Sequence, residues 1–255
     1  MKVRIGDREL SYEFYGNGKP LVLIHAFPFD GRMWSDTAQA LAGHCRVIVP
    51  DMPGFGESTL GSADRSIAGM ADDIAVILDS LGIERVTVGG LSMGGYVALA
   101  FAARYSARLE RLILADTRAA ADSDVVRAGR ADALALVAKQ GVDALVERQV
   151  AALLSPAARE ELREQVRSLG KQTPKGVSAG LRALRDRPDR QAELTSIACP
   201  TLVIVGKEDK ISPPAEMSAL ASAISGARLV EIPGAGHLSN LENPNDFVAA
   251  LKHFI

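Results

Sequence analysis

The amino-acid sequence predicts an α/β fold: a mainly parallel sheet flanked by helices, with a helical segment inserted late in the chain. Three observations carry this. Short apolar runs alternate with helix-period segments through residues 1–116, and the rhythm resumes through 196–255. The central runs are nearly all apolar rather than alternating, as in strands buried on both faces. Residues 117–195 hold no strand-like run at all.

Taken in order, residues 2–6 and 9–15 alternate around Gly6-Asp7 and read as an opening hairpin. Pro20 to His25 is a buried strand, and the irregular loop His25-Ala26-Phe27-Pro28-Phe29-Asp30-Gly31 follows it. A short helix is expected over 34–42 and a strand over 46–50, followed by the turn-rich stretch Asp51 to Ser58. The spacing of Ile67, Met70, Ile74, Ile77, Leu78 and Leu81 predicts a helix over 66–81, closed by Gly82. A β-branched strand from Val86 then runs into an alanine-rich helix over 93–105, and Leu112 to Ala115 is a strand ending at Asp116. Four helices are expected at about 124–139, 141–154, 156–169 and 175–186, punctuated by Pro156, Gly170, Pro174 and Pro188. A strand over 200–206 follows, then a helix from Pro213 to Ser225 with Ser212 as its N-cap. A strand from Ala227 to Ile232 and a helix from Pro244 to Ile255 close the chain. The expected organisation is therefore an α/β core of residues 1–116 and 196–255, with residues 117–195 as a helical cap, or lid, over the sheet's active edge.

Composition limits the function classes. The chain has 255 residues, 47% hydrophobic and 24% charged, with a net charge of −2. That suits one soluble globular domain and shows no electrostatic footprint for nucleic acid. The segment 117–195 holds 14 Lys/Arg against 11 Asp/Glu, and the remainder 15 against 20. The mild positive excess reads as a solvated face over apolar stripes. No apolar run is long enough to span a bilayer, and the first residues lack the apolar centre of a signal peptide, so a cytoplasmic location is expected, with no membrane partner. Cys45 and Cys199 each precede a strand and read as small buried apolar residues. No metal ligand set and no cofactor motif is apparent, and homo-oligomerisation stays open.

The chemistry centres on Gly90-Leu91-Ser92-Met93-Gly94. A serine on a tight strand-to-helix turn needs neighbours without side chains, and glycine stands two residues away on either side. The turn lifts the Ser92 hydroxyl clear of the sheet, at a helix N-terminus whose free N–H groups favour developing negative charge. A serine hydroxyl needs a base, and the base an orienting acid. Asp209, after the strand 200–206, and His237, in Pro233-Gly234-Ala235-Gly236-His237, follow Ser92 in the chain order this arrangement uses. Asp116 and Glu208 are the rival acids. His25 is assigned to ordering its own loop, and His44 and His253 to surface or structural roles. An oxyanion needs two N–H donors. Met93 supplies one and Phe27 the other, since Pro28 has no N–H.

Together these residues resemble the α/β-hydrolase superfamily along the whole chain. The resemblance rests on His25-Ala26-Phe27-Pro28, Asp51 to Ser58, Gly90 to Gly95, Gly206-Lys207-Glu208-Asp209 and Gly236-His237. It is nearest the branch of small esterases, 3-oxoadipate enol-lactonases and cofactor-free haloperoxidase or perhydrolase-type enzymes. Phe29 to Trp34 and Leu114-Ala115-Asp116-Thr117 point to the enol-lactonase-like side. Ala26 departs from the glycine usual in that branch. The serine at the elbow argues against dehalogenases and epoxide hydrolases, which carry aspartate there. The resemblance implies hydrolysis of a small-molecule ester or lactone through Ser92, His237 and Asp209. Perhydrolysis on the same residues, or a slow-turnover ligand sensor, are the alternatives. Leu134, Val137, Leu145 and Leu153 are candidates both for the pocket wall and for the core of the inserted segment.

Overall fold

The computed structural model describes Met1–Ile255 throughout. Strands β1 (Lys2–Ile5) and β2 (Arg8–Tyr15) form the opening hairpin, followed by β3 (Pro20–Ile24), helix α1 (Ser35–Leu41) and β4 (Arg46–Pro50). Then come α2 (Ile67–Ser80), β5 (Val86–Leu91), α3 (Met93–Arg104) and β6 (Leu109–Ala115). Helices α4 (Asp124–Gln140), α5 (Val142–Leu153), α6 (Glu160–Leu169) and α7 (Pro174–Arg185) stand between β6 and β7 (Thr201–Gly206). The chain ends with α8 (Pro214–Ala223), β8 (Arg228–Ile232), α9 (Ser239–Glu242) and α10 (Pro244–Phe254).

All eight strands join one sheet in the order β1-β2-β4-β3-β5-β6-β7-β8. The β1–β2 and β2–β4 pairs are antiparallel and every other pair is parallel, which is the predicted α/β architecture. Strand position explains composition. β5 and β7 are buried along their whole length, whereas edge strand β1 alternates between exposed and half-buried residues. The parallel strands β3, β5, β6, β7 and β8 all end at one edge. The loops carrying His25, Ser92, Asp116, Asp209 and His237 leave from that edge, as ligand-binding loops do in such sheets.

Local chemistry sets most helix starts. Ser66, Ser123, Thr173 and Asn243 each accept an N–H of the first turn of α2, α4, α7 and α10, and Pro174 and Pro244 occupy first helical positions. The expected helix at 34–42 is preceded by a 3₁₀ turn, Gly31–Trp34, capped by Asp30. The third inserted helix starts at Glu160 rather than 156, after the turn that follows Pro156. Helix α8 starts at Pro214, one residue later than expected. Ser212 is not its N-cap, because the serine hydroxyl is drawn to Asp209 instead. Short α9 was not foreseen. Cys45 is buried as expected, but Cys199 is only half-buried, and both thiols are free. One apolar core of 71 buried residues runs from the sheet into the inserted helices. Val137, Leu145 and Leu153 lie inside it, and Leu134 packs against it. No helix is long and apolar enough to cross a membrane.

Candidate active site

The turn after β5 carries the strain that the glycine spacing anticipates. Ser92 has φ 54° and ψ −112°, a sparsely populated region that costs about 1–3 kcal/mol. A Cβ on Gly90 would collide with the Gly94 carbonyl, and one on Gly94 with the Ile24 carbonyl. A methyl at Gly95 would strike the Thr117 side chain. The strained residue is held on both sides. Its N–H donates to Ala115 O at 3.0 Å, and its C=O accepts from Gly95 N–H at 2.9 Å and from the Thr117 hydroxyl at 2.8 Å. Ser92 is half-buried, so its hydroxyl is reachable.

The loops after β7 and β8 bring the other two residues to it. His237 Nε2 lies 2.9 Å from Ser92 Oγ, and His237 Nδ1 lies 2.8 Å from Asp209 Oδ2. A carboxylate only accepts, so Nδ1 carries the proton and the Nε2 lone pair faces the serine. Asp209 Oδ1 accepts the backbone N–H of Ile211 at 2.7 Å and of Ser212 at 3.1 Å. Burial pushes the Asp209 carboxyl up, but the hydrogen bond and charge of His237, with those two N–H groups, hold it below the ordinary carboxylate range. His237 and Asp209 are 2% and 3% exposed, so water barely screens the pair.

Ser212 belongs to this cluster and was missed. Its hydroxyl donates to Asp209 Oδ2 at 2.8 Å and sits 3.2 Å from His237 Nδ1. The available signal was its place in the same turn, three residues after Asp209.

The rival acids are placed elsewhere. Asp116 Oδ1 accepts Gly206 N–H at 2.8 Å, Oδ2 accepts the Ser239 hydroxyl, and neither oxygen bonds a histidine. Burial, and then the Asp209 charge, push the Asp116 carboxyl well above its ordinary range. Glu208 is exposed. His25 is fully buried, with Nδ1 2.9 Å from Ala26 O and Nε2 accepting Met52 N–H at 2.9 Å. Both nitrogens are occupied and burial lowers its basicity, so it orders the loop as a neutral ring. His44 and His253 are exposed.

The two N–H groups expected to hold an oxyanion belong to the turn after β5 and the loop after β3. Met93 is the first residue of α3, where backbone N–H groups have no helical acceptor. Phe27 N–H donates to no protein acceptor. The Phe27 ring stands edge-on to Phe55 at 6.1 Å, and both rings press on Gly180 of α7. Ala26 is fully buried without a left-handed φ, so its methyl is accommodated.

A cleft of about 650 Å³ lies at the opposite ends of the strands, among Leu99, Leu109, Leu194 and Cys199. No group of three or more His, Cys, Asp or Glu side chains is arranged to hold a metal ion.

The chain has relatives among known proteins. Residues 19–244 match a family described as alpha/beta hydrolase fold. The chain is 31% identical to a pimeloyl-[acyl-carrier protein] methyl ester esterase of Aeromonas hydrophila subsp. hydrophila, over 96% of this chain and 99% of that protein. A thermophilic esterase from Thermogutta terrifontis superimposes with a TM-score of 0.95 at 39% identity, covering 99% of this chain and 97% of the other. The enol-lactonase from Burkholderia xenovorans LB400 does so with a TM-score of 0.92 at 30% identity, covering 100% and 99%.

Proposed function

The chain belongs to the alpha/beta hydrolase fold family, and from that premise we propose that it is a serine hydrolase cleaving small carboxylic esters or lactones through an acyl-enzyme. The observation that carries the reading is the continuous line Ser92 Oγ–His237–Asp209, with both contacts under 3 Å. His237 Nε2 takes the hydroxyl proton as Oγ attacks the substrate carbonyl. Buried Asp209 stabilises the imidazolium that results. The N–H groups of Phe27 and Met93 hold the oxyanion, each contributing on the order of a hundredfold or more in rate. His237 then protonates the leaving alkoxide, which in a lactone stays tethered to the acyl group. Water, deprotonated by the same imidazole, releases the acid. No step draws on a cofactor.

In this reading residues 117–195 form the cap, and their apolar residues exclude water from the acyl-enzyme. The substrate class is supported by the ester- and lactone-cleaving names of the relatives. The test is a panel of p-nitrophenyl esters of rising chain length together with an enol-lactone, run on the parent and on Ser92→Ala. We expect kcat of the variant to fall by on the order of 10⁴ or more. Full turnover by Ser92→Ala sinks the mechanism. A parallel run with hydrogen peroxide measures perhydrolysis directly.

A further inference from the structure

The base is tied to the cap by a half-buried carboxylate that the proposed reaction does not use. Glu242 closes short helix α9, five residues beyond His237. Its Oε1 accepts Gly236 N–H at 2.7 Å, and its Oε2 accepts Ser155 N–H at 2.7 Å. Gly236 immediately precedes His237, while Ser155 begins the turn after α5. A second link runs beside the first: His237 N–H donates to Leu153 O at 2.9 Å. The two backbones meet with no space between them, since a Cβ on Gly236 would sit 2.7 Å from Ser155 N and 2.9 Å from Leu154 C. Burial raises the Glu242 carboxyl above its ordinary range, and the nearby Glu208 charge adds to the rise, while the two N–H bonds oppose it.

We propose that Glu242 is a positioning residue that fastens the Leu153–Ser155 turn to the Gly236–His237 loop, so that the cap turn and the catalytic base move as one piece. A carboxylate suits this task because it offers acceptors on two oxygens, one for each N–H. Charged acceptors also make the stronger hydrogen bonds. The consequence is directional. A ligand that displaces the Leu153–Ser155 turn also displaces the His237 imidazole, and a shift of about 1 Å costs on the order of a hundredfold in rate. Productive substrates therefore leave this corner of the cap in place.

The activity readout rests on the serine-hydrolase reading; the exchange readout does not. The experiment compares the parent, Glu242→Gln and Glu242→Asp. A fluorophosphonate labels Ser92 to count active sites, and hydrogen exchange follows the Ser155, Gly236 and His237 amides. Glutamine presents an NH₂ group to one of the two N–H donors and leaves it unpaired. We expect kcat per labelled site to fall on the order of tenfold in Glu242→Gln. Ser155 and Gly236 should exchange at least about tenfold faster, and Glu242→Asp, which keeps both acceptors, should recover part of each loss. A kcat per labelled site within threefold of the parent overturns the proposal, and so does unchanged exchange at Ser155 and Gly236. Should Glu242→Gln not fold, the parent alone decides: the three amides must open together, and independent opening overturns the clamp. Failure of the probe to label the parent counts against the Ser92 reading and leaves the exchange result to judge the clamp.

Discussion

Two buried aspartates one strand apart, Asp116 and Asp209, show how little sequence distinguishes groups with opposite behaviour. Asp209 faces an imidazole and is held ionised, whereas Asp116 faces a hydroxyl, an amide and the Asp209 charge, and is pushed toward its neutral form. Asp116 accepts Gly206 N–H on Oδ1 and the Ser239 hydroxyl on Oδ2, and Asp116→Asn replaces this buried carboxyl with an amide of the same shape that cannot ionise. The linkage sign follows. A carboxyl whose folded pKa lies above its unfolded value contributes full stability below the unfolded value, near 4, and loses it as pH rises toward the folded one. Asp116→Asn removes that loss. Melting curves between pH 5 and 9 should show Asp116→Asn gaining on the parent as pH rises, with kcat within about threefold. A gap that shrinks with rising pH contradicts the upward shift. Strain at Ser92 is the other residue-scale feature. It persists because Gly90 and Gly94 remove the Cβ atoms that would collide with neighbouring backbone, while Ala115 and Thr117 hold the peptide in place.

Helix α7 packs on the ring of Phe27, the residue proposed to supply the second oxyanion donor. A methyl on Gly176 would collide with the Gly54 carbonyl, so α7 and the Asp51–Ser58 loop touch backbone to backbone. One turn later, a Cβ on Gly180 would stand 2.8 Å from the Phe55 ring and 3.0 Å from the Phe27 ring. Gly180→Ala therefore sets two effects against each other. Helix propensity improves by about 1 kcal/mol, and the ring contacts must yield by a few tenths of an ångström. Yielding at Phe27 moves the N–H proposed to hold the oxyanion. We expect kcat to fall roughly tenfold with Tm changed by less than about 3 °C. An unchanged kcat would show that α7 does not set the Phe27 position.

The inserted helices and the sheet share one core, and a buried ion pair fastens the segment's two ends. Arg187, beyond α7, pairs with fully buried Asp122, and also donates to Leu184 O at 2.8 Å and Ala120 O at 3.1 Å. Its guanidinium lies 4.2 Å above the Tyr96 ring of α3, which joins the segment's ends to the helix behind Ser92. Removing Arg187 leaves buried Asp122 with Arg130 alone, at 3.1 Å, and costs about 3 kcal/mol, the low end for breaking a buried pair. Arg187→Met should lower Tm by roughly 10 °C, while calorimetry of both proteins shows a single transition with matching calorimetric and van't Hoff enthalpies. Two resolved transitions in the parent would refute a shared core.

Features that depend on a few adjacent residues were legible in the sequence. The parallel sheet followed from apolar runs such as 201–206, and the elbow from glycines at 90 and 94, whose spacing reflects steric needs met within one turn. The candidate acid and base followed from chain order and from loops at strand ends. Contacts between distant segments were not legible. Ser212 read as a helix cap because its attraction to Asp209 and His237 needs the folded loop. Nothing in the sequence singles out Glu242, because its partner Ser155 is 87 positions away. Local pattern singled out the residues proposed to carry the chemistry. Only the tertiary structure decided what holds them in place, because those contacts pair backbone groups and polar side chains whose spacing leaves no periodic trace.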